Sequence, residues 1–379
     1  MKSIYRSSQM EIPAMKVVFG EDDRREILAR IEDSLATGML AQGQYVRQFE
    51  GKWSEYLGVK YAVATCSGGA ALEVCLQALN VKDKEVLIPV NTFAATPLSV
   101  LLAGGKVRFT DIDAATLSPS LEQLKRRVTP KTAGVIIVHI GGIVTPEIED
   151  IRSWCSQNGL WLLEDAAHAH GSEINGRKAG TFGLAGTFSF FATKIMTTAE
   201  GGIIVTQSEE LTKRATILRD YGKAEPWVSY HTDSGFNWRM SELHAAIGLT
   251  QLKRLDAFIT WRENIAKLYT QLLQQIPEAT PVLPKDRSSW YKYIVLLNQQ
   301  IDKGRVKKSM KQQGISLSGG VYDVPLHQQP IFKTMADGEF PIADDFCRRH
   351  ICLPIYYGMT GGEAEFVVES LKRGIKEAR

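Results

Sequence analysis

Short apolar runs alternate with helix-length amphipathic stretches between residues 60 and 206. The runs at 61–65, 86–90, 107–110, 135–140 and 160–163 have strand length. The segments between the early ones, such as 70–79, 94–103 and 147–157, carry the spacing of helices. Two further apolar runs, 187–191 and 202–205, follow in close succession. Strand, helix and strand in repetition predict an α/β domain built on a mostly parallel seven-stranded sheet covered on both faces. The nearly continuous 135–140 run has the pattern of a central strand, buried on both sides.

Beyond Thr206 the pattern changes. Residues 209–219 predict a helix and 224–236 an irregular polar stretch. From Ser241 a long helix begins, with Leu243, Ile247, Leu249, Leu252, Leu255, Phe258, Ile259, Ile265 and Leu268 on its apolar positions. A helix of this kind commonly links two domains, so a boundary is placed near Asp256. A strand at 293–297 and helices at 303–313 and 362–376 then predict a smaller C-terminal α+β domain. The expected division is an N-terminal arm (1–20), a large domain (21–255) and a small domain (256–379), a size that suits two cores.

Composition narrows the classes. The net charge of +3, from 45 basic and 42 acidic residues, argues against nucleic acid or a membrane surface as partner. No apolar run approaches the ~20 residues needed to span a bilayer, and the N-terminus lacks the apolar core of a signal peptide. Five scattered cysteines without a C-x-x-C pair suggest neither a disulfide framework nor a zinc site. A reduced, cytoplasmic protein without a bound metal is expected.

In open α/β sheets ligands sit beyond the carboxyl ends of the strands, and four such ends here are chemically unusual. Cys66-Ser-Gly-Gly-Ala-Ala71 opens a helix with small residues. The backbone N–H groups of Gly68, Gly69 and Ala70 suit an anion there, although a simple Ser67 cap reads equally well. Phe93 offers a flat face to a planar ring, or belongs to the core. Asp165, in Glu164-Asp-Ala-Ala-His-Ala-His-Gly171, needs a cationic or N–H partner where it leaves its apolar strand. His168 lies one helical turn further on, and a metal held by Asp165, His168 and His170 is the competing reading. Ser189 points opposite to Phe188 and Phe190 and could donate to the same anion. Lys194 is either a surface amine at a strand end or a buried one, whose depressed pKa makes it a nucleophile. Together these groups match pyridoxal 5′-phosphate (PLP): a phosphate cradle, an aromatic plate, a carboxylate for the ring nitrogen and an amine for the aldehyde.

The sequence resembles the DegT/DnrJ/StrS family of PLP-dependent aminotransferases, mostly sugar aminotransferases of the aspartate-aminotransferase fold (fold type I). The resemblance runs from about Gly38 to near the C-terminus. It rests on Gly43-Gln-Tyr-Val-Arg-Gln-Phe-Glu50, Thr92-Phe-Ala-Ala-Thr96, Glu164-Asp-Ala-Ala-His168, Ser189-Phe-Phe-Ala-Thr-Lys194, Glu200-Gly-Gly202, Gly235-Phe-Asn-Trp-Arg-Met-Ser-Glu242, Pro325-Leu-His327 and Leu353-Pro354. It implies that Lys194 carries the cofactor and later moves the proton, and that Asp165 keeps the ring nitrogen protonated. Phe93 would stack on the ring, His168 would lie at its polar edge, and Ser189 with Gly68–Ala70 would hold the phosphate. Asn237 would reach that phosphate from a second subunit, implying a homodimer with shared active sites; the residue pattern around Asn237 reads only as loop. Tyr322 and His327 are the expected substrate contacts. Two departures stand out: Gly69 replaces a usual Thr, removing one phosphate hydroxyl, and His168 replaces a Gln common in the family.

The resemblance implies transfer of an amino group from L-glutamate to a keto sugar, such as a nucleotide-linked 3- or 4-keto-6-deoxyhexose. Other acceptors, a keto-cyclitol or an aminoshikimate-type precursor, fit the same residues. A PLP-dependent deoxysugar dehydratase is disfavoured, because that branch carries His in place of the catalytic lysine. A non-catalytic PLP-binding regulator lacks a DNA-binding module here.

Overall fold

The computed structural model describes residues 11–225, 227–317 and 319–379. The first half of the expected N-terminal arm therefore lies outside the described residues. Two helices, α1 (Glu21–Thr37) and α2 (Gln44–Leu57), precede a repeating unit. Strands β1 (Tyr61–Thr65), β2 (Glu85–Pro89), β3 (Lys106–Thr110), β4 (Thr132–Val138) and β5 (Trp161–Asp165) alternate with α3 (Gly68–Ala78), α4 (Ala95–Leu102), α5 (Leu121–Arg127) and α6 (Ile148–Gln157). A small hairpin, β6 (Glu173–Ile174) and β7 (Arg177–Lys178), leads to β8 (Ala185–Ser189) and β9 (Gly202–Thr206), followed by α7 (Glu209–Leu218) and α8 (Glu242–Leu273). The chain ends with β10 (Ala279–Pro281), β11 (Tyr293–Leu297), α9 (Lys303–Gln312), α10 (Pro341–Arg349), β12 (His350–Leu353) and α11 (Gly361–Glu377).

Seven strands form one sheet in the order β1-β9-β8-β5-β4-β2-β3, and β10-β11-β12 form an antiparallel second sheet. In the large sheet only β9 runs against its neighbours. The predicted seven-stranded, mostly parallel sheet is therefore what the chain forms. The residues of β4 are nearly all buried, as an interior strand demands. It ends at Val138 rather than at 140. His139 leaves the extended region, and Gly141 and Gly142 at φ 68° and 95° turn the chain, so the apolar run continues into a buried turn.

The expected domain boundary at residue 256 falls inside α8, one uninterrupted 32-residue helix capped by the Ser241 hydroxyl. One apolar cluster joins Ile88, Ile136 and Leu163 of the large sheet to Ile294, Val321 and Phe346 of the C-terminal part, so the two sheets are packed against each other. Ile12, within the expected arm, exchanges backbone hydrogen bonds with Gly314 and Ser316 at 2.9 Å.

Two glycines set the spacing at the carboxyl end of the large sheet. A Cβ on Gly68 would stand 2.7 Å from the Ser189 Cβ, and one on Gly202 only 2.2 Å from the Ser67 carbonyl oxygen. Only glycine lets the start of α3 rest directly on the ends of β8 and β9.

Candidate active site

The register of the large sheet brings Val138, Asp165 and Thr187 side by side at its carboxyl end. Beyond this edge opens a cavity of about 540 Å³, closed on the opposite side by residues of the second sheet and its loops. Asp165 and Glu164 are adjacent on β5, so they point to opposite faces. The Glu164 carboxylate accepts hydrogen bonds from the backbone N–H groups of Gly180, Phe182 and Gly183 at 2.6–2.7 Å and pairs with His139 Nε2 at 2.9 Å. Asp165 faces the cavity. It accepts a hydrogen bond from Thr96 Oγ1 at 3.0 Å and another from the Ala167 N–H at 3.2 Å. Burial pushes its carboxyl above the usual range, opposed by these two hydrogen bonds and by the charge of Lys194. Its remaining acceptor capacity faces the cavity and suits one more N–H donor.

Lys194 sits on the β8–β9 connection, its backbone turned by an N–H bond to the Phe191 carbonyl. The side chain is half-buried, and its Nζ stands 4.9 Å from the centre of the Tyr291 ring. Burial lowers its pKa to about 8, with Asp165 opposing the shift and Lys292 adding to it. A far larger fraction of the amine is thus neutral at physiological pH than in an ordinary lysine, as a carbonyl-reactive lysine requires.

At the start of α3 the Ser67 hydroxyl accepts from the Ala70 N–H, so Ala70 is spent on the cap and is absent from the cavity wall. The N–H groups of Gly68 and Gly69 have no acceptor among the described residues and open into the cavity beside Ser189. Both readings of this segment hold at once: Ser67 caps the helix, and the glycines leave an anion cradle. Phe93 is 61% exposed and lines the cavity, its ring centre 6.0 Å from that of Tyr322.

His168 is buried and stacked on Tyr291, ring centres 4.2 Å apart. Its Nδ1 accepts from the Gly141 N–H at 3.4 Å, which leaves Nε2 to carry the proton of a neutral ring. Burial pushes its pKa well below the ordinary value, and Lys194 and Lys292 push further. Residues 166–170 form turns rather than a helix, yet both Asp165 and His168 reach the cavity. His170 turns the other way, packing against Trp53, Phe188 and Phe190 and bonding the Ser189 carbonyl. Among the described residues no cluster of three His, Cys, Asp or Glu side chains is placed to hold a metal.

Tyr322 lines the cavity, whereas His327, expected at the substrate, stands apart from its wall and pairs with Asp344 at 3.1 Å. Asn237 is exposed and also outside this chain's cavity wall. The geometry adds wall residues that the sequence did not single out, Tyr291, Lys292 and the Gly319-Gly320 pair, and places Glu200, read only as part of a motif, on the cavity wall. Thr96, read only as part of a motif, supports Asp165. The unpartnered Gly68 and Gly69 N–H groups, the open acceptor on Asp165 and the Lys194 amine with its lowered pKa fit the groups that PLP presents.

Known proteins are similar to this chain in sequence and in fold. The DegT/DnrJ/EryC1/StrS aminotransferase family matches residues 21–372. The dTDP-4-dehydro-2,3,6-trideoxy-D-glucose 4-aminotransferase of Saccharopolyspora spinosa is 33% identical over 370 residues, covering 93% of this chain and 94% of that protein. The structure of PseC from Helicobacter pylori, an aminotransferase of pseudoaminic acid biosynthesis, superposes with a TM-score of 0.91 at 28% identity, covering 97% of this chain and all of that one. The E. coli GDP-4-keto-6-deoxy-D-mannose-3-dehydratase, solved with bound hydrated PLP, superposes with a TM-score of 0.89 at 25% identity over 96% of this chain and 100% of that one. The chain belongs to the DegT/DnrJ/EryC1/StrS aminotransferases and is a PLP-dependent sugar aminotransferase by family.

Proposed function

We propose that this enzyme transfers an amino group from L-glutamate to a nucleotide-linked keto sugar, a 3- or 4-keto-6-deoxyhexose, in amino-sugar biosynthesis. The observation that carries the reading is the Lys194 amine, with its pKa near 8, facing the same cavity as Asp165. The S. spinosa relative, a dTDP-keto-sugar 4-aminotransferase, supports the acceptor class.

Bound here, PLP supplies an aldehyde for amine exchange and a pyridinium ring that withdraws electrons. The residues of the chain do the rest. Asp165 would accept the ring N–H and hold that proton in place, with Thr96 and the Ala167 N–H fixing the carboxylate. Gly68, Gly69 and Ser189 bind the phosphate at the start of α3, where the helix dipole favours an anion. Phe93 would stack on the ring, and neutral His168 would offer its Nε2 proton to the ring's polar substituent. Lys194 would hold the cofactor's aldehyde carbon, and its free amine would be the base that moves the proton during transfer. The dehydratase reading is disfavoured by the lysine at position 194.

A second copy of the chain completes the site in this reading, with Asn237 reaching the partner's phosphate. Trp227, Tyr230 and Phe236, exposed by 75%, 66% and 48%, supply apolar surface in the same loop for a homodimer. Light scattering should return twice the chain mass, and Asn237→Ala should weaken cofactor retention; a monomer with full activity overturns the shared site. The reaction is tested by absorbance: L-glutamate should bleach the PLP band, and a panel of nucleotide keto sugars should restore it. A band that no keto sugar restores overturns the acceptor class.

A further inference from the structure

Lys292 is a second ammonium in the cavity, and the chemistry described above gives it no task. It precedes β11 on the wall opposite the phosphate cradle and lines the cavity together with Gly319. Its Nζ would stand 3.0 Å from a Cβ built on Gly319, so the absence of a side chain there leaves the ammonium its room. Among the described residues no carboxylate pairs with it. Asp323, close by in sequence to this wall, is already held by Lys303 at 2.9 Å and Lys307 at 3.0 Å. Asp165 is directed at the ring nitrogen, and Glu200 is exposed on the large-sheet side.

Both lysines contact one ring. Lys194 Nζ lies 4.9 Å and Lys292 Nζ 5.1 Å from the centre of Tyr291, so the two nitrogens stand no more than 10.0 Å apart. The donor amine must arrive where Lys194 Nζ stands. In an amino acid the α-carboxylate lies roughly 3–4 Å from the amine, and an ammonium–carboxylate contact adds about 2.8 Å. A cation roughly 6–7 Å from the amine is therefore placed for a donor carboxylate, a separation that the 10.0 Å limit on the two lysines admits. A carboxylate entering a half-buried cavity needs such a partner, and an unpaired buried ammonium is itself unfavourable. Burial lowers the Lys292 pKa, which a bound anion would relieve.

We infer that Lys292 is the carboxylate-binding residue for the amino donor, and so selects amino acids over simple amines. This rests on the transamination proposed above. The test titrates the PLP band of the holoenzyme with L-glutamate and, separately, with isopropylamine, a donor without a carboxylate. In Lys292→Met the glutamate needed for half-bleaching should rise about 10- to 100-fold. Lys292→Arg should recover much of this, and the isopropylamine titration should match the wild type. Return of the band by keto sugar, from enzyme loaded with pyridoxamine phosphate, should also be unchanged. An unchanged glutamate titration, an equal loss for isopropylamine, or a loss confined to the keto-sugar step each overturns the assignment. A wild-type band insensitive to every amino acid overturns transamination itself, a result separable from failure of the Lys292 variant alone.

Discussion

The two walls of the cavity are built differently. The large-sheet wall is rigid and short-range: Asp165, Ser189 and the start of α3 are strand ends or their immediate successors, locked by sheet register and by glycine contacts. The opposite wall, Tyr291, Lys292 and 319–322, consists of segments flanking a three-stranded sheet and docked from far along the chain. The first wall is suited to one invariant ligand, the cofactor. Under the proposed function, the second is where donor and acceptor would be told apart. A smaller contrast repeats the lesson on β5: Glu164 has every oxygen occupied by backbone or His139, while Asp165 keeps acceptor capacity free for chemistry.

That contrast can be broken experimentally. Lys194→Ala should abolish turnover with the fold intact; retained activity ends the assignment. Glu164→Ala and Asp165→Asn should separate the roles of neighbouring carboxylates. Glu164→Ala strands three buried N–H groups and should cost about 3 kcal/mol or more of stability, read in denaturant melts. Asp165→Asn should leave the melt nearly unchanged and slow the glutamate half-reaction by about 100-fold, the loss of one charge-assisted hydrogen bond in the reacting state. Equal effects from the two variants would erase the distinction.

A pH series comes next in size. Because the Lys194 pKa is lowered to about 8, capture of added PLP by cofactor-free protein should fall about tenfold per pH unit below 8 and level off above it. The same group should make the cofactor-free fold more stable as pH rises from about 8 toward the ordinary lysine value, since the unfolded chain then binds a proton the folded one has released. A capture rate flat between pH 6 and 9 would contradict the depressed value. The smallest effect is Gly69→Thr. A Cβ there meets Ala95 at 3.8 Å and Ser67 Oγ at 3.9 Å, ordinary contacts, so a hydroxyl can be added. It should tighten PLP retention about fivefold, measured by equilibrium dialysis.

Much of the large sheet was readable from the chain alone, because buried parallel strands are near-continuous apolar runs, although only β2–β3 and β4–β5 are neighbours both in the chain and in the parallel part of the sheet. Lys194, Asp165, Phe93 and Ser189 were readable for the same reason, as residues out of keeping with the apolar strands they follow. The end of β4 was misplaced because its apolar run continues into a buried turn at His139–Gly142, where burial persists without extended backbone. Ala70 was read as a phosphate contact because only the structure shows Ser67 taking its N–H. His327 matched a family pattern, but its pairing with Asp344 turns it from the cavity.

The sequence by itself determined the fold class and the cofactor and singled out Lys194 as the candidate to bear it, since all three follow from local periodicity and from residues within a few positions of strand ends. Tertiary structure alone decided which of the carboxylates on β5 is open, that His168 faces the cavity while His170 faces the core, and that Lys292 lines the same cavity and contacts the same ring as Lys194. These choices depend on which face a side chain takes and on contacts between segments about a hundred residues apart. Hydropathy patterns carry no record of such contacts, because they are made only when the two sheets pack together.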